Sequence, residues 1–300
     1  MNAADGQLGL AGMPRRLVTT SPSKLSAWVD CPRKYRFAYV ERPTPPKGAP
    51  WAHSSLGASI HNALAAWWGL PVERRNPDEA GRLLQAGWLE DGYRDDAQSA
   101  QWLARARAMV EGYVATLDPD DEPRGVERSV GYRTDAISVT GRVDRIDERA
   151  SEDSGRELVI VDYKTGRSAL TVDDARGSMQ LALYALAAAR VLRQRCRRVE
   201  LHHLPTARVL AWEHTPESLD RQLRRAEAIA LEARDATEAA AGGQPVDQVF
   251  PARTGPLCQY CDWRARCPEG QAASRALQPW DGLAREDATP DEATDEPPEE

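Results

Sequence analysis

The chain has 300 residues, of which 41% are apolar and 28% charged, and its 39 Lys+Arg against 46 Asp+Glu give a formal net charge of -7. That size and apolar content bury a sizeable core in one or two domains, and no apolar run reaches membrane-spanning length, so a disordered polymer and a helical membrane protein are both excluded. Nine of the acidic residues and one arginine fall in 281–300, which leaves 38 basic against 37 acidic side chains over residues 1–280, a nearly neutral body unsuited to tight nonspecific binding of long duplexes.

Residues 1–18 carry no periodicity and are expected to be disordered. SPSKLSAWVDCPRKYRFAYV opens with capping serines, Ser21 and Ser23, and sets Leu25, Trp28 and Tyr35 near one helical face. The spacing predicts a helix of about four turns that carries Cys31 and turns Arg33, Lys34 and Arg36 to solvent. RPTPPKGAP reads as a loop, SSLGASIHNALAAWWGL as a second helix bearing His61, and residues 72–118 as helical throughout, anchored by Trp88, Tyr93, Trp102 and Tyr113.

After DPDDEPRG the period changes to alternation, and VERSVGYRT, AISVTGRVDRIDE and ELVIVDYKTG read as three successive strands. The last has the continuous apolar run of a strand buried on both faces. SMQLALYALAAARVLRQ is then helical, RRVELHHLP and ARVLAWEH form a further strand pair, and a long helix over about 216–240 leads to a cysteine-rich end. This order specifies an α+β or mixed α/β domain. The final stretch, DGLAREDATPDEATDEPPEE, has almost no large apolar residue and is expected to form a disordered acidic tail whose default role is solubility.

Two carboxylates carry chemistry. Asp144 lies in a strand within GRVDRID, and Asp162 ends the buried strand of VIVDYKTG with Lys164 two residues on, hence on the same face. Carboxylates on neighbouring strands make a hard oxygen site for Mg²⁺ or Mn²⁺, with the lysine placed to orient water or to stabilise charge growing on phosphorus; an Asp–Lys structural ion pair is the plainer reading. His202 and His203 read as ordinary polar residues, and Trp51, Trp67 and Trp68 either pack or stack on bases.

Cys31 stands alone near the front, while CQYCDWRARCP supplies Cys258, Cys261 and Cys267, a spacing that lets three thiolates converge and leaves one position for a distant partner. The odd total of five cysteines and the lack of a signal peptide argue for a reducing interior over disulfides. Zinc and a four-iron four-sulfur cluster both accept four thiolates, so the count leaves the choice open. Cys196, in RQRCRR, has no partner at ligand spacing and reads as an ordinary free thiol.

GRVD followed by VDYKTG and then QLALYA resembles the RecB-type branch of the PD-(D/E)XK nuclease superfamily. The resemblance implies a restriction-endonuclease-like core, a central mixed sheet flanked by helices, in which Asp144 and Asp162 bind the catalytic metal, Tyr163 adds its main-chain carbonyl and Lys164 is the catalytic lysine. His61 in LGASIHNAL matches the family's metal-assisting histidine. Gln180 and Tyr184, four apart on one helical face, match the Gln-x-x-x-Tyr pair beside its active site. Cys31 in CPRKYRF and the terminal cysteines are similar to the iron–sulfur staple of cluster-bearing members, which selects a 4Fe-4S cluster over zinc.

The implied organisation is a disordered N-terminus (1–18), one nuclease domain (19–272) with a helical insertion at about 62–120, and an acidic tail (273–300). The implied protein is a cytoplasmic, Mg²⁺- or Mn²⁺-dependent deoxyribonuclease, an exonuclease of DNA repair or recombination acting on single-stranded DNA or free ends. Arg33, Lys34, Arg36, Arg142 and Arg145 are the expected backbone contacts. A CRISPR-associated RecB-like exonuclease and a catalytically idle DNA-binding module held by its cluster are the competing readings.

Overall fold

Ser21 starts the first helix by accepting the Lys24 N–H at 3.3 Å, with Pro22 in the first turn, and the helix, α1 (Pro22–Asp30), stops where Pro32 holds Cys31 in an extended conformation, φ -166° and ψ 115°. The single helix expected here is therefore broken. A short helical segment, Pro32–Tyr35, and a wider turn, Arg36–Val40, follow, and Cys31 occupies the corner between two helices.

The computed structural model describes residues 17–151 and 155–284. After α1 come α2 (Ala52–Trp68), α3 (Pro77–Ala86), capped by Asn76, and α4 (Asp96–Val114), capped by Asp95. Residues 72–118 are thus not helical throughout. Gly87 ends α3 and Gly92, at φ +87°, turns the chain so close to α2 that a Cβ there would lie 2.6 Å from the Ala52 nitrogen.

The sheet is built around β3 (Ile137–Ser151), a strand long enough to serve three partners. One edge pairs antiparallel with β2 (Gly125–Arg133), from Gly125↔Ile146 to Arg133↔Ser138. The other pairs parallel with β1 (Val18–Thr20) at Val18↔Ile137, then antiparallel with β4 (Gly155–Lys164) from Arg145↔Val161 to Ser151↔Gly155. β4 runs parallel to β5 (Cys196–His203) after the crossover through α5 (Val172–Gly177) and α6 (Met179–Leu192), and β6 (Arg208–Glu213) closes the sheet antiparallel to β5. The long helix α7 is Pro216–Ala241.

Helices cover both faces, as an apolar β4 requires. Val159, Val161 and Tyr163 pack against α2 and α4, while Leu158 and Ile160 pack against α6. A third cluster joins Leu25 and Trp28 of α1 to Ile137 and Val139 of β3, Ile229 of α7 and Phe250. The result is the mixed α/β architecture expected of a restriction-endonuclease-like core. No described helix is long and apolar enough to cross a membrane.

Both chain ends differ from expectation. Val18, placed in the disordered stretch by its sequence, opens β1, because Ile137–Val139 offers a parallel edge that local sequence cannot reveal. Residues 273–284 are ordered and end in a short helix, Asp281–Ala284, whose Leu283 is buried against the α2–α4 cluster. The remainder of both expected disordered segments, 1–16 and 285–300, lies outside the described residues.

Candidate active site

The register of two ladders brings three carboxylates into one row. Val126↔Arg145 and Arg128↔Val143 bracket Glu127 and Asp144, so these two stand opposite each other, and Asp162 follows Val161, the partner of Arg145. Residues directly opposite share a face and their side chains approach closely, so like charges there destabilise the sheet. Glu127 leaves regular strand geometry with φ +46°. Beyond Arg145↔Val161 the strands β3 and β4 part, and the Tyr163 N–H donates to Asp144 Oδ2 at 2.9 Å instead of to a β3 carbonyl.

Four further groups converge on this row. Lys164 Nζ lies 2.6 Å from Asp162 Oδ2, and Gln180 Nε2 of α6 donates to Asp162 Oδ1 at 3.1 Å. His61 reaches over from α2, with Nδ1 3.4 Å from Asp144 Oδ2 and Nε2 3.2 Å from the Tyr163 carbonyl oxygen. Tyr184, one helical turn after Gln180, lays its ring over Gly141 so closely that a Cβ there would sit 2.5 Å from Cε1. That contact gives the glycine of GRVD a packing reason.

Mutual charge tunes the cluster. Burial drives the Asp162 carboxyl above its ordinary range; Lys164 pulls it back and Asp144 pushes it further up. Burial also raises Glu127, again with Asp144 adding to the rise. Burial lowers His61, but its hydrogen bond and charge interaction with Asp144, together with Asp162 and Glu127, outweigh that and leave the imidazole raised. Excess negative charge in a partly desolvated row is the environment a divalent cation relieves.

One residue of this row was missed in the sequence. Donor atoms of His61, Glu127 and Asp144 all lie within 4.8 Å of one another, so Glu127 belongs with the candidate metal ligands. The available signal was register: Glu127 and Asp144 are equidistant from the turn that joins β2 to β3.

Several expected nucleic-acid contacts lie elsewhere. Arg145 is 2% exposed on the opposite face, where it donates to the Tyr113 and Tyr163 hydroxyls and to Asp147. Arg33 is buried and pairs with Glu269 and Asp247, the latter also taking Arg36, and Lys34 pairs with Asp30. Arg142 stays exposed beside Glu127. Trp67 and Trp68 are core residues. His202 and His203 are buried, bonded to Tyr113 and Glu200, and to Thr206 and the Gly166 carbonyl, respectively.

Cys31, Cys258, Cys261 and Cys267 line one recess between the α1 corner and the terminal turns. Their sulfurs do not gather at direct ligand spacing, since no three lie mutually within 4.8 Å. The Arg253 N–H donates to Cys31 Sγ at 3.3 Å, the Gly270 N–H to Cys267 Sγ at 3.4 Å, and the Arg33 guanidinium and the Glu269 carboxylate lie 3.8 and 3.7 Å from Cys267 Sγ. Cys196 is apart, buried at the start of β5, and burial pushes its thiol up.

A family model described as the PD-(D/E)XK nuclease superfamily matches residues 19–268. Among solved structures, the chain is similar to one titled "Crystal structure of SSO0001", with 15% identity and a TM-score of 0.39 over 87% of this chain and 89% of that one. No curated protein matches.

Proposed function

This chain belongs to the PD-(D/E)XK nuclease superfamily, and we propose from that premise that it is a divalent-metal-dependent deoxyribonuclease, an exonuclease of the RecB type acting on DNA ends in repair or recombination. The observation that carries the reading is the row Glu127, Asp144, Asp162 across three adjacent strands, with Lys164 2.6 Å from Asp162. A purely structural role has no need for three carboxylates side by side.

The donor set suits a hard cation. Asp144, Asp162, Glu127 and the Tyr163 carbonyl are oxygens and His61 adds an imidazole, the ligand types of Mg²⁺ and Mn²⁺ sites. A bound cation there supplies Lewis acidity at the phosphoryl oxygen and lowers the pKa of a coordinated water. Lys164 holds a positive charge beside the reacting phosphate, where it orients water and stabilises charge that grows in the transition state. Gln180 fixes the Asp162 carboxylate, and Tyr184 packs on Gly141 to hold β3 against α6.

The four cysteines carry the second part of the proposal, a 4Fe-4S cluster with a structural role. Zinc and the cluster both take four thiolates, and the reading prefers the cluster because the four cysteines that line the common recess carry the spacing similar to that of cluster-bearing nucleases. A reducing, cytoplasmic setting is part of the same reading, because four ligand cysteines must stay reduced to hold the cluster.

End-labelled single- and double-stranded DNA incubated with Mg²⁺, Mn²⁺ or chelator tests the function. Metal-dependent shortening from an end supports it, and intact DNA under every condition with correctly folded, metal-loaded protein refutes it.

A further inference from the structure

Past Arg145↔Val161 the β3–β4 ladder ends, although β4 runs on to Lys164 with β5 still beside it through Lys164↔His203. The stretch 162–164 carries Asp162, the Tyr163 carbonyl and Lys164, so the reach from Asp144 to these groups is set where the two strands no longer exchange ladder hydrogen bonds. One tie across the gap runs from the Tyr163 N–H to the Asp144 carboxylate. It draws on oxygen that a cation would also claim.

Behind the sheet a second tie spans the same gap. Arg145 follows Asp144 in β3, and its Nη1 donates to the Tyr163 hydroxyl at 3.2 Å. Neither atom of that bond is a candidate metal donor, so it persists when a cation takes Asp144.

The guanidinium is itself held in one orientation. Nη1 also donates to the Tyr113 hydroxyl at 3.2 Å, Nε lies 2.8 Å from Asp147 Oδ1, Nη2 donates to Asp147 Oδ2 at 3.0 Å, and the group sits 5.1 Å from the Trp68 ring centroid. From Asp147 the contacts pass to Arg149 at 2.9 Å, from Arg149 to Glu200 at 2.7 Å, from Glu200 to His202 Nε2 at 2.9 Å, and from His202 Nδ1 to the Tyr113 hydroxyl at 2.7 Å. The circuit joins β3, β5 and α4 and closes on Arg145. Burying an arginine on this scale is costly unless every partner is in place, and a fully partnered buried network is rigid.

We propose that Arg145 is a positioning residue for the divalent cation: its bond to the Tyr163 hydroxyl fixes, from behind the sheet, how far the Tyr163 carbonyl stands from the Asp144 carboxylate. The inference rests on the metal-site reading of the carboxylate row. Groups that hold metal ligands in place typically carry about 10- to 100-fold in metal affinity.

Calorimetric titration of MnCl₂ into the full chain, without DNA, tests it alongside thermal melts in chelator. Tyr163→Phe keeps the ring and loses the hydroxyl, and should weaken Mn²⁺ binding roughly 10- to 100-fold. Arg145→Lys keeps a positive charge beside Asp147 but cannot serve the carboxylate and both hydroxyls at once, and should weaken it likewise. Tyr113→Phe removes the other hydroxyl on the same guanidinium, so it should lower Tm as Tyr163→Phe does while Mn²⁺ affinity stays near the parental value. Parental affinity in either Tyr163→Phe or Arg145→Lys overturns the proposal, as does an equal loss of affinity in Tyr113→Phe, which would make the network a matter of stability alone. Asp144→Asn separates this from the reading beneath it. If that variant loses Mn²⁺ and Tyr163→Phe does not, the positioning role falls and the metal site stands; if the parental protein binds no Mn²⁺, or Asp144→Asn binds it as tightly, the metal-site reading falls and the positioning role with it.

Discussion

Glu127 faces Asp144 directly across the β2–β3 ladder, two carboxylates in the place where a sheet ordinarily sets complementary partners. On the proposed reading, the arrangement gives up apo-state stability for affinity toward a cation. Glu127→Gln should therefore stabilise the chelator-treated protein by about 0.5 kcal/mol, raising Tm by roughly 1–2 °C, while reducing the Tm gain on adding Mn²⁺. Thermal melts with and without MnCl₂ measure both, and a lower Tm in chelator would contradict the repulsion.

Lys164→Ala removes the ammonium beside Asp162 but leaves the carboxylate row. Single-turnover cleavage should slow about 100- to 1,000-fold, equivalent to about 3–4 kcal/mol, with DNA affinity in Ca²⁺ nearly unchanged. Cleavage at close to the parental rate would remove Lys164 from the chemistry.

On the opposite face, burial opposes ionisation of Glu200, yet His202, Arg149 and Arg198 overcome it and hold the carboxyl at about 2, against an ordinary 4.5. Because the folded value is depressed, its contribution is complete above about pH 4.5 and is lost as pH falls toward 2, a change on the order of 3 kcal/mol. Urea midpoints from pH 5 to 2.5 should show this slope. Glu200→Gln should flatten it and lower stability at pH 7, since Arg149, Arg198 and His202 each lose a charged partner.

If the four cysteines hold the proposed cluster, anaerobically purified protein should be brown and contain about four iron atoms. Cys31→Ala or Cys261→Ala should abolish the colour and lower Tm, whereas Cys196→Ala should keep the iron, because its sulfur is buried in β5 away from the recess. One equivalent of zinc in a colourless protein would replace the iron assignment.

Strand identity was legible because β3 and β4 carry their patterns locally: alternation in one, an unbroken apolar run in the other. That sufficed to place Asp144, Asp162 and Lys164. Glu127 was not legible as a ligand because its meaning comes from the residue opposite it. Arg145 was misjudged for the same reason, since an arginine in an alternating strand reads as solvent-facing until helices from 52–114 are known to cover that face. The break at Cys31 was legible in principle from Pro32, but the amphipathic pattern on either side concealed it.

The pairing of chain ends also sets an order of events during synthesis. β1 finds its partner only when Ile137 emerges, and Cys31 waits for Cys258, 227 positions later. At about 5–20 residues per second that second wait lasts between about 11 and 45 s, during which the one other thiol made is that of Cys196. On the proposed reading, a four-thiolate site can be loaded only after Cys267 has emerged. Loading would therefore report that the cysteine-rich segment has been made, and chains terminated before it would remain without it.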